Sequence, residues 1–155
     1  MGDVSRREVT KEWERLRRKY KLPKLQEIEK EIGFYLTSKP VISEALKGIA
    51  RILNSISLDI EAVLYPKDLA GMIEKNFFTE EEREKLYDFY REIRSKLCKV
   101  PIAVMGEERE KASLFKELLK FYREKAKSSG RQFYDRLSKG WREKSKGKEK
   151  ITYLR

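Results

Sequence analysis

With no histidine and a single cysteine, Cys98, this chain lacks the usual general bases, thiol nucleophiles and soft metal ligands. It also has no Gly-rich phosphate loop. Hard cations need only oxygen ligands, which makes two carboxylate pairs candidates for metal chemistry. Glu27 and Glu31 share one helix face, as do Glu84 and Asp88. Both pairs fall on polar helix sides that do not converge, which fits solvated charge better. The sequence therefore predicts a protein that is not an enzyme and has no metal and no cofactor.

What the chain has in quantity is positive charge in particular places. Of its net +11, residues 1–24 carry +5 and residues 120–155 carry +9, whereas residues 25–119 carry −3. Lys and Arg that neutralise phosphates release condensed counterions and bind without reading base sequence. Charge confined to the ends therefore points to a polyanionic partner around a near-neutral core.

At 100° per residue, Arg7, Lys11, Arg15 and Arg18 fall within about 80° of one another, opposite Val9, Trp13, Leu16 and Tyr20. Lys116, Lys120, Arg123 and Lys127 form a second stripe, spanning ~16 Å of helix axis, apart from the Phe115, Leu118, Leu119 and Tyr122 stripe. Arg131, Lys139, Arg142 and Lys146 cluster on a third, with Asp135 among them. The 80–97 segment is an internal control. Its outward residues mix Glu80, Glu84, Asp88 and Glu92 with Lys85, Arg91 and Arg94, as local ion pairing does.

These stripes require helices to carry them. Ser5 and Glu8 have capping-box spacing, so a helix should run to about Tyr20. Pro23 suits the start of a second, with Leu25, Ile28, Ile32 and Tyr35, ended or bent by Gly33. From Val41 to Leu64 apolar residues recur so densely that more than one face must be covered, which predicts the central helix. Asn54, Ser55 and Ser57 are a point of possible breakage within it, and Pro66 should end it. A short helix follows over about 67–76. Thr79 and Glu82 form a second capping box before Leu86, Phe89, Tyr90, Ile93 and Leu97.

Val100–Gly106 has no helical phasing and reads as an extended connector. Helices are expected again over 107–127 and about 131–143, separated by Ser128-Ser129-Gly130 acting as a cap. Beyond Glu143, residues 144–155 read as a basic, mobile tail.

Cys98 lies near the Leu86, Tyr90 and Ile93 phase and is expected in the core. Most aromatics near the basic charge (Trp13, Tyr20, Phe133, Tyr134, Trp141) share the apolar phase and are expected there too. Leu114 and Phe121, seven residues apart, lie off the main stripe and are expected to face a second core layer or a partner protein. The opening Met-Gly-Asp-Val-Ser-Arg-Arg predicts no signal peptide, and no apolar run reaches 18 residues. A cytoplasmic location follows, and the Lys/Glu-rich, Asn/Gln-poor composition points to a thermophile.

The expectation is an all-α, single-domain bundle of about six helices over residues 1–143, packed around the 41–64 helix. Its expected function is non-enzymatic binding of DNA, RNA or a nucleic-acid–protein complex through the three basic stripes. The alternative is a helical adaptor engaging an acidic protein. Membrane attachment through the 131–146 helix ranks third, because its Phe133, Tyr134, Leu137 and Trp141 also suit docking onto the bundle.

Overall fold

Prolines, glycines and short hydroxyl or carboxylate side chains divide the chain into helices. In the computed structural model, which describes residues 5–146, the order is α1 Arg6–Tyr20, α2 Leu25–Ile32, α3 Val41–Leu64, α4 Leu69–Lys75 and α5 Glu80–Leu97. There follow α6 Val100–Met105, α7 Glu108–Phe121, a π turn over Tyr122–Ala126 and α8 Lys127–Lys146. No strand occurs among the described residues.

Local chemistry accounts for most boundaries. The Ser5 hydroxyl accepts the Glu8 amide at 3.3 Å. Gly33 closes α2 at φ +82°, in the left-handed region that glycine enters without steric penalty. Asp68 caps α4 by accepting the Gly71 amide at 2.7 Å. At α5 the capping box is complete: Thr79 Oγ1 accepts the Glu82 amide at 3.1 Å, and the Thr79 amide donates to the Glu82 carboxylate at 2.9 Å.

α3 is the centre of the bundle. Thirteen of its 24 residues are buried, so it is covered on several faces, and α1, α2, α4, α5, α6 and α7 all pack against it. It runs unbroken through Asn54–Ser57, because the fully buried Ser57 hydroxyl donates to the Asn54 carbonyl at 2.9 Å and is thereby satisfied. One continuous apolar cluster, from Val9 of α1 to Phe133 of α8, joins every helix of the described residues except α4.

The structure departs from the sequence-based expectation in several places: Tyr35 lies beyond the end of α2 and is exposed, and Tyr134 and Trp141 are exposed rather than in the core. Residues 100–105 form helix α6, started by Pro101 in its first turn and buried through Ala103. The expected cap at Ser128–Gly130 does not form. α7, the π turn and α8 make one continuous helix over 108–146, about 58 Å long at 1.5 Å per residue. Gly130 is buried inside it, where a Cβ would stand 3.3 Å from Ile56 Cδ1, so glycine serves a close approach to α3. α8 also continues past Glu143 to Lys146, and the rest of the expected tail, 147–155, lies outside the described residues. Cys98 is exposed rather than in the core, because it caps α5 one position past Leu97, off the buried phase.

Candidate nucleic-acid interface

Trp13 sets the position of the first basic stripe. Its buried indole meets Phe115 of α7 edge-on, ring centroids 5.9 Å apart, and donates from Nε1 to the Pro23 carbonyl at 2.9 Å. With α1 held by that face, the opposite face, carrying Arg7, Lys11, Arg15 and Arg18, is left exposed.

Ion pairs then join this face to α7. Arg15 donates to Glu108 at 2.5 Å, Lys19 approaches the same carboxylate at 3.7 Å, and the Tyr20 hydroxyl donates to it at 2.8 Å. The Arg15 hydrogen bond, helped by Tyr20 and Lys19 against partial burial, holds the Glu108 carboxyl down at about 2. Two adjoining concavities result. One, of about 820 Å³, is lined by Lys19, Lys21, Arg109 and Lys116, with Glu107 and Glu108. The other is lined by Lys11, Arg15, Arg18 and Lys19, with Glu14. Together they present seven cations against three carboxylates. Both α1 and α7 contribute to that excess.

The second stripe continues along the long helix. Lys116, Lys120, Arg123, Lys127 and Arg131 each follow a buried or half-buried residue by one position, so all five share one flank, across the π turn. Arg131 joins the other four because the helix continues through Ser128–Gly130 where a cap is expected. Arg123 ties this flank to α2 through the Glu31 carboxylate, and the pairing raises its pKa. The carboxylate pair Glu27/Glu31 is thus partly committed to a guanidinium, while Glu84 and Asp88 stand exposed on α5. Among the described residues, no three metal-ligating side chains group together.

Arg7, Lys11, Arg18, Lys116, Lys120, Lys127 and Arg131 are exposed and carry no ion pair to any described residue. Arg15 and Arg123 are already paired. Lys139 belongs to a different surface, a cavity beside α4 lined also by Asn76, Phe77, Arg136 and Glu143. Arg142 is exposed on α8, and the Lys146 side chain lies outside the described residues. Of the third stripe, Arg131 thus joins the second, and Lys139 stands apart on a different surface.

Leu114 and Phe121 belong to a second core layer rather than to a partner contact: they are 8% and 7% exposed, because α7 packs on α3 and α6 and Phe89 of α5 reaches Phe121. Phe89 of α5 lies 6.3 Å from the Phe121 ring, and Lys96 stands over it at 5.0 Å. Sequence reasoning missed Lys19, Lys21 and Arg109, which sit off the regular stripes. The charge excess of residues 1–24 was the signal that could have found the first two.

Glu108 gives the face a pH signature. A carboxyl whose folded pKa lies below its ordinary 4.5 adds stability above that value and loses it as pH falls through about 2. Glu108→Gln should therefore be less stable than the parent at neutral pH. In denaturant titrations at stepped pH, the gap should close between pH 4.5 and pH 2. A gap independent of pH would mean that Glu108 is not held by ionic contacts.

No helix among the described residues is long and apolar enough to cross a membrane. Comparison of the chain with protein-family models, with curated proteins and with solved structures finds no match.

Proposed function

We propose that this chain is a non-enzymatic, cytoplasmic protein that binds nucleic acid, alone or within a nucleic-acid–protein assembly, through the joined faces of α1 and α7. The observation that carries the reading is the meeting of two single-sign stripes at the Arg15–Glu108 bridge, with seven cations around the two concavities. Solvation alone would favour mixed signs, as on α5. Long, exposed Lys and Arg side chains suit phosphates, which are spaced regularly and need no fixed geometry. The flank from Lys116 to Arg131 extends the same charge along the helix axis, so the contact follows a backbone rather than a single anion.

The test is a mobility-shift series with duplex DNA, single-stranded DNA and structured RNA across salt concentrations. Binding should be nearly indifferent to base sequence. Log K should fall linearly with log salt, by ~0.7–0.9 per phosphate neutralised. Affinity that does not respond to salt would contradict a phosphate-tracking surface.

A further inference from the structure

Residues of α5 and α8, with Phe78 before α5 and Lys125 of the π turn, line an open cavity of about 490 Å³. That volume is in the range of small-molecule sites. Its floor is apolar: half-buried Leu86 joins the buried rings of Phe78, Phe89 and Phe133, of which Phe78 and Phe133 stack on each other with centroids 5.7 Å apart. Its walls are polar. Ser129 and Gln132 line it from α8 and Asp88 from α5, and none of the three has a hydrogen bond or ion pair with any described residue.

Three cations stand among the lining residues. Arg136 is oriented by donating to the Phe77 carbonyl at 2.9 Å and to Glu82 at 3.2 Å. Lys85 has only an exposed 3.6 Å pairing with Glu81, and Lys125 comes from the π turn, where it pairs with Glu92. Single π turns inside α-helices are frequent at functional sites.

We infer that this cavity binds a single nucleotide unit, with the base over Leu86 on the apolar floor, its edge toward Gln132 and Asp88, and its phosphate toward Lys85 and Lys125. A lipid chain would cover the floor but offer nothing to the amide and carboxylate. Inorganic phosphate would satisfy the lysines and leave the floor bare. A free carboxylate and a free amide lining one cavity ask for a ligand edge with both donors and acceptors, which a nucleobase has. The site shares no residue with the α1–α7 face and does not rest on the function proposed for it. The nucleotide is either free in solution or one unstacked member of a strand.

Calorimetric titration with AMP, GMP, CMP and UMP tests the inference. At least one should bind saturably, one per chain, while its nucleoside binds about tenfold more weakly and ribose 5-phosphate gives no saturable heat. Gln132→Ala with Asp88→Ala should weaken binding about tenfold, as should Lys85→Ala with Lys125→Ala. Lys11→Glu with Arg18→Glu on α1 should leave it unchanged. Displacement of the bound monophosphate by a short single strand identifies an unstacked strand member as the source, and failure to displace it identifies the free nucleotide. The inference is overturned if none of the four saturates at millimolar concentration. It is equally overturned if binding survives both double variants and Leu86→Trp, which fills the cavity.

Discussion

Trp13→Ala is expected to destabilise the protein by about 3–5 kcal/mol, the range for removing a large buried aromatic. Trp13 is fully buried, so its loss removes apolar burial and leaves a cavity between α1 and α7. The edge-on pair with Phe115 goes with it, worth about 0.5–1.5 kcal/mol within that total. The Pro23 carbonyl also loses its indole donor. Trp13→Phe separates the contributions, since it keeps most of the ring packing and removes the N–H, and should cost about 1–2 kcal/mol. Urea titration followed by far-ultraviolet dichroism measures both, as a lower midpoint at constant m-value. A loss under half a kcal/mol in Trp13→Ala would mean that this ring does not hold α1.

Reversal of Lys11, Arg18, Lys116 and Lys120 to Glu is expected to have the largest effect on binding. None of the four has an ion partner among the described residues and all are exposed, so helix content and unfolding midpoint should change little. If each neutralises one phosphate, the slope of log K against log salt flattens by about three. At 0.1 M salt that is a loss of roughly 10³ in affinity relative to 1 M. The control reverses Lys47, Lys67, Arg91 and Arg94, which are exposed on α3, α5 and the loop before α4. Both sets change the net charge equally, from +11 to +3 at two charges per reversal. A much smaller change in the control assigns binding to the α1–α7 face, and equal changes reduce it to net charge. Absence of binding to any nucleic acid at low salt would redirect the reading to an acidic protein partner.

The basic face also bears on how stability and function are linked. Trp13, Phe115 and the Arg15–Glu108 bridge are packing and charge features of the same helix pair. α1 therefore has its cations placed by the contacts that keep it folded against α7. A variant that loosens Trp13 should lose binding in step with α1, whereas the exposed reversals lose binding alone.

What the sequence determined by itself was local. Val9, Trp13 and Leu16 recur at helical spacing and are buried, as are Ile49, Leu53, Ile56 and Ile60. Gly33 ends α2 at positive φ and Thr79–Glu82 caps α5, because each acts within one turn of its own position. The single-sign stripes on α1 and α7 were legible for the same reason. Which faces meet was decided only by the tertiary structure. Leu114 and Phe121 lie off the main stripe yet are buried, since α5, some thirty residues earlier, supplies Phe89. Gly130 looks like a cap and is instead a contact point, since Ile56 lies against it. Lys21 and Arg109 share a concavity only because Trp13 and Glu108 bring the end of α1 to the start of α7. Periodicity and capping depend on neighbours within a turn, whereas burial and the merging of charged faces depend on partners tens of residues away.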